Sequence, residues 1–79
     1  MYRCPVCRYP GLYEPARNRY GLPSFDICPC CGYQFGVSDD DRGIDYDRWR
    51  QNWLDFGAPW WSREGPPEGW DLERQLRDV

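Results

Sequence analysis

The chain has 79 residues and a formal charge of −3, with ten arginines, no lysine and no histidine. That length gives one small domain, near the size at which an apolar core alone is only marginally stable. The missing histidine removes the commonest general base, the acidic balance counts against nucleic acid as a partner, and the longest apolar runs are far too short to span a bilayer.

The first element is a knuckle, Cys4-Pro5-Val6-Cys7. Two thiolates three residues apart grip one ion from the same side when the backbone between them turns tightly. Pro5 starts that turn by holding φ at about −65°. Arg8 follows where a chain leaving such a turn prefers glycine, so this knuckle is the less ideal of two. Residues 9–13 read as a short strand, and residues 14–23, rich in proline, glycine and polar side chains, as a loop. Ser24-Phe25-Asp26-Ile27 alternates polar and apolar, predicting a strand into a second knuckle, Cys28-Pro29-Cys30-Cys31, which Gly32 follows. Tyr33 to Val37 alternates the same way and leads out.

Together the knuckles give C-x2-C, twenty residues, then C-x2-C, the spacing of a four-thiolate zinc ribbon. Cys4, Cys7, Cys28 and Cys31 are the expected ligands, each about 2.3 Å from the ion. The ion is expected to be structural zinc, one per chain, with iron as the alternative in the same cage. Four cysteines close the site, leaving no position for a catalytic water, so no enzyme and no catalytic residue are expected. A redox role for Cys4 and Cys7 lacks the helix N-terminus that lowers a thiol pKa, because Pro10-Gly11 follows at once. Cys30 is read as a bystander thiol, since two adjacent cysteines rarely reach one ion comfortably. A structural zinc site contributes about 10–16 kcal/mol at neutral pH, so the cysteine-bearing half is expected to be disordered without metal. Five cysteines, an odd number, and no charged-then-apolar leader predict reduced, metal-bound thiols in the cytoplasm.

Residues 38–44 form an acidic connector, read as a solvated loop. A calcium loop is rejected: with Gly43 at its sixth position, Arg42 and Trp49 fall where acids are required. A helix is predicted from Tyr46 to Phe56, with Asp45 as N-cap and Ile44 packing on Trp49 as a hydrophobic staple. Tyr46, Trp49, Trp53 and Phe56 share its apolar face, and Gly57 and Pro59 end it. The segment 58–69, with Trp60-Trp61 and Gly65-Pro66-Pro67, reads as irregular but packed. A second short helix starts at Asp71 as N-cap and carries Leu72 and Leu76 on one face.

The knuckles, with the run Ile27 to Tyr33, resemble those of rubredoxin-like zinc ribbons and of small bacterial cysteine-rich CPCC proteins. Tyr46, Trp49, Arg50, Trp53, Gly57, Trp60, Pro67, Trp70-Asp71-Leu72 and Gln75-Leu76 are similar to a group of uncharacterised bacterial proteins with an aromatic C-terminal half. The resemblance implies a presumed metal binder with no established activity. In CPCC proteins the Cys-Pro-Cys-Cys run often forms the first knuckle; here it forms the second.

The expected fold is a single small α+β domain over 1–79. Its zinc-ribbon lobe at 1–37 packs its short antiparallel strands on an aromatic-rich helix and a short C-terminal helix in 38–79. Residues 1–37 carry four arginines against two acids, and 38–79 six against eleven. The expected function is a non-enzymatic interaction module, with another protein as partner through the acidic half. The sequence points to no membrane and no small-molecule substrate. Two alternatives are rubredoxin-like electron transfer and nucleic-acid binding through Arg3, Arg8, Arg17 and Arg19.

Overall fold

Antiparallel pairing organises the N-terminal lobe in three single bridges: Tyr2 with Leu12, Arg17 with Pro23, and Ile27 with Gln34. The computed structural model describes residues 1–77. Within the spans 24–27 and 33–37, Phe25 and Gly36 take left-handed backbone, with φ of 64° and 96°. That turns the chain out of the extended region and confines pairing to one position. A Cβ on Gly36 would lie 2.7 Å from the Phe25 ring and 2.8 Å from that of Pro23, so glycine is required there for space as well as for φ.

Helix α1 spans Tyr46–Asp55. The Asp45 side chain caps it by accepting from the Arg48 N–H at 2.7 Å. Phe56 is the C-cap, one residue beyond the last helical position. The Ala58 N–H then bonds the Trp53 carbonyl and the Gly57 N–H that of Leu54, a Schellman turn. Of the expected apolar face, Trp53 is buried and Tyr46 and Trp49 are half-buried, but Phe56 is 83% exposed. It sits past the final turn, where the helix no longer faces the core. Helix α2 spans Leu72–Arg77, and the Asp71 carboxylate receives the Glu73 N–H at 3.0 Å. Leu72 packs against the core, while the buried residue of α2 is Gln75.

The core joins the knuckle cysteines to a cluster of rings. Tyr33 and Phe35 are fully buried, and the Tyr33 ring centroid lies 5.4 Å from those of Phe35, Tyr46 and Trp49. Such tilted and edge-on contacts suit the aromatic quadrupole. The Tyr33 hydroxyl donates to the Ile44 carbonyl at 2.7 Å, which satisfies the one polar atom of this cluster's buried centre. Trp60 packs edge-on between Tyr9 and Trp70 and ties the tail to the first knuckle.

The connector is more than a solvated loop. The Asp39 carboxylate accepts from the N–H groups of Gly36 (2.6 Å) and Asp40 (2.9 Å) and from the Arg17 guanidinium (2.9 Å). Arg17 also donates to Asp40 at 2.6 Å and to the Gly21 carbonyl at 2.8 Å, pinning the 14–23 loop to the connector. Burial pushes the Asp39 carboxyl up, but Arg17 and the backbone N–H groups outweigh it and hold it below its ordinary value. A carboxyl lowered by folding stabilises the protein above its unfolded pKa, and that stabilisation is lost as pH falls through the lower folded value. Asp39→Asn should therefore cost roughly 1 kcal/mol near neutral pH. The gap in thermal midpoint between variant and wild type should close below about pH 4. A gap unchanged down to pH 3 would remove the carboxylate from this account.

Candidate metal centre

The two knuckles are built alike. In the first, the Cys4 N–H donates to the Tyr9 carbonyl (2.8 Å) and the Cys4 carbonyl accepts from Arg8 (2.8 Å). In the second, the Cys28 N–H donates to the Tyr33 carbonyl (2.9 Å) and the Cys28 carbonyl accepts from Gly32 (2.8 Å). Arg8 and Gly32, each directly after a knuckle's last cysteine, have φ of 71° and 80°. The left-handed exit that glycine makes freely is imposed on an arginine in the first knuckle, at a cost on the order of 1 kcal/mol. Gly32 has a further reason to be glycine: a Cβ there would collide with the Trp61 ring.

These turns bring Cys4, Cys7, Cys28 and Cys31 together, with their four sulfurs all within 4.8 Å of one another. The Cys4 and Cys31 sulfurs are 3.9 Å apart and those of Cys7 and Cys28 3.7 Å. Sulfurs placed about 2.3 Å from a common centre at the corners of a tetrahedron lie about 3.8 Å apart. The donor set and its spacing thus fit a tetrahedral thiolate-bound ion, and the four form a possible metal-binding site. Each of the four is at most 4% exposed. All five cysteines are free thiols.

Crowding splits the proton affinities of Cys7, Cys28 and Cys31. Cys28 is pulled well below its ordinary pKa by hydrogen bonds from Cys31, Cys4 and Cys7. Cys7 and Cys31 are pushed up, in each case chiefly by their contact with Cys28.

Cys30 is not one of these four, although its thiol interacts with that of Cys7. It is fully buried, and its sulfur faces the Gln75 side-chain amide at 3.5 Å. Several hydrogen bonds to the site join residues far apart in the sequence. The Trp61 and Ser62 N–H groups donate to the carbonyls of Cys30 and Pro29, at 3.0 and 2.9 Å. The Trp49 indole donates to the Cys31 carbonyl at 2.9 Å and the Gln75 amide to that of Cys7 at 2.9 Å. Their partners lie 18 and 68 residues away, and no periodicity reports such a pairing.

Among known proteins, the chain is 35% identical over 81 residues to the uncharacterised protein YoaQ of Bacillus subtilis (strain 168), an alignment covering 85% of this chain and 69% of that relative. It is 32% identical over 83 residues to the uncharacterised protein YozI of the same organism, covering 86% of this chain and 69% of that relative. The chain belongs to the family of YoaQ and YozI. No family model and no solved structure matches it. In this member of the YoaQ family, no helix among the described residues is long and apolar enough to cross a membrane.

Substitutions separate the four clustered cysteines from the fifth. Cys4→Ser or Cys31→Ser should abolish stoichiometric metal uptake and unfold the N-terminal lobe. Cys30→Ser should retain both and cost less than about 2 kcal/mol. Metal content and circular dichroism of the purified variants read the difference, and equal damage at Cys30 would break the assignment.

Proposed function

We propose that this protein is a non-enzymatic zinc-binding module of the zinc-ribbon class. In this reading Cys4, Cys7, Cys28 and Cys31 hold one structural zinc ion, which supports a surface for another protein. The observation that carries the metal reading is the cluster of four buried sulfurs within 4.8 Å of one another, with two pairs at 3.7 and 3.9 Å. Four thiolates complete zinc's preferred coordination and leave no open position for substrate or water. The likeness of the knuckles to rubredoxin-like ribbons supports the same assignment, and reduced thiols suit the cytoplasm.

The proposed contact surface is the groove beside α1. It has a volume of about 280 Å³ and is lined by Ile44, Trp49, Trp53, Phe56 and Pro59, with Phe56 exposed at its edge. An exposed phenylalanine beside an apolar groove is a common anchor arrangement in interfaces. The 38–79 half carries eleven acids against six arginines, so charge complementarity favours a segment that joins apolar side chains to basic ones. Nucleic acid is the weaker reading. Of the arginines that would serve it, Arg17 is already neutralised by Asp39 and Asp40, and Arg3 donates to the Arg8 carbonyl.

Elemental analysis with a visible spectrum, on protein purified without added metal, tests the metal reading. One zinc per chain and no colour is the expected outcome. Iron with strong visible absorption would instead make the protein a rubredoxin-like electron carrier. For the surface, peptides alternating arginine and leucine should bind the wild-type protein and lose about tenfold in affinity against Phe56→Glu. Binding unaffected by Phe56→Glu would sink the groove assignment.

A further inference from the structure

Each knuckle ends in a cysteine whose carbonyl is held by a side-chain N–H from the C-terminal half. The Trp49 indole of α1 holds Cys31 and the Gln75 amide of α2 holds Cys7, both at 2.9 Å. The two contacts fall on equivalent atoms of the two turns. Resting on the metal reading above, we propose that Gln75 and Trp49 are positioning residues that clamp the two knuckles closed around the ion. On this account α2 and α1 control how fast the metal leaves.

Gln75 is built for donation. It is 5% exposed, and its Oε1 accepts from the Trp70 indole at 2.7 Å. An indole N–H can only donate, so the amide oxygen must face Trp70 and the NH2 group must face the first knuckle. There its two hydrogens meet the Cys7 carbonyl and, at 3.5 Å, the Cys30 sulfur. A side chain needed only for packing at that position would be apolar, because burying an amide is costly unless every polar atom is bonded. Here every one is. Cys30 thereby gains a role without being a ligand: its sulfur completes the pocket that orients the amide.

The clamp also explains how so short a helix holds. Six residues cannot sustain a helix in water by themselves, so α2 persists through its tertiary contacts. Docking α2 orders the peptide of Cys7, and an ordered Cys7 keeps α2 docked. Release of the ion requires the knuckle to open, and opening breaks the bond to Gln75. Groups that orient metal ligands in this way change affinity by about 10–100-fold when removed.

Cobalt(II) loaded into the full chain in place of the native ion provides the probe. Gln75→Met keeps the length of the side chain and deletes both N–H donors. Trp49→Phe keeps a ring against Tyr33 and deletes the indole donor. Each should release cobalt to excess chelator about tenfold faster than wild type and shift the thiolate-to-cobalt absorption bands. Asp39→Asn, which loosens the fold away from the knuckles, should leave both the bands and the rate unchanged. If Gln75→Met does not fold, Trp49→Phe and Trp70→Phe carry the comparison on the two knuckles separately. Stoichiometric cobalt with unshifted bands and release rates within about twofold of wild type would overturn the clamp alone. Equal effects from Asp39→Asn would also overturn it, because general loosening would then explain the data. A wild-type chain that takes up no cobalt would overturn the metal reading and the clamp with it.

Discussion

Four sulfur atoms packed within 4.8 Å of one another, away from water, set the terms for the rest of the molecule. So crowded a group of ionisable thiols is stable only if protons or a cation occupy the space between them. Five of the eleven buried apolar residues among those described are cysteines, so the candidate metal centre and the hydrophobic core are one structure. A chain of this size has little other means of stabilising itself. The knuckle turns, the left-handed backbone at Arg8 and Gly32 and the enclosure of the sulfurs all follow from bringing these four side chains to a single point.

The C-terminal half completes that core. Its backbone joins the second knuckle through Trp61 and Ser62, its rings extend the cluster around Tyr33, and its side chains bond the peptides of Cys7 and Cys31. Three indoles of this packing, those of Trp49, Trp53 and Trp70, have hydrogen-bond partners, while the buried Trp60 indole has none. Tryptophan indoles supply donors, while carbonyls of the turns and one buried glutamine supply acceptors. Trp49, Trp53 and Trp70 each cover apolar area and also deliver one hydrogen bond to a fixed place. The same half presents a groove at α1 with an exposed phenylalanine beside it, so the aromatic material serves both the inside and the outside of the fold.

Electrostatics divide the molecule in a similar way. The arginine-bearing loop at 14–23 is fastened to the acidic connector by Arg17, Asp39 and Asp40, so the sign change along the chain becomes an internal attachment. Among the described residues the exposed acids outnumber the exposed arginines, and most of both lie in the half that carries the groove. The lobe holding the cysteines and the lobe presenting a surface are thus joined at the core and distinct in chemistry.

The sequence by itself determined the four clustered cysteines and the place of both helices. Spacing, caps and the 3.6-residue repeat are local properties, carried by residues a few positions apart. It also marked Cys30 as separate from the other four, because adjacent side chains leave a tight turn in different directions. Tertiary structure alone decided how far pairing extends beside the knuckles, where the left-handed backbone at Phe25 and Gly36 interrupts an alternation that reads as strand. It alone exposed Phe56, which the helical repeat assigned to the core face, and it alone turned Asp39 inward from a run that reads as solvated. Gln75 is the clearest case. Its burial against a cysteine 68 positions earlier follows from long-range packing that no local pattern on a six-residue helix encodes.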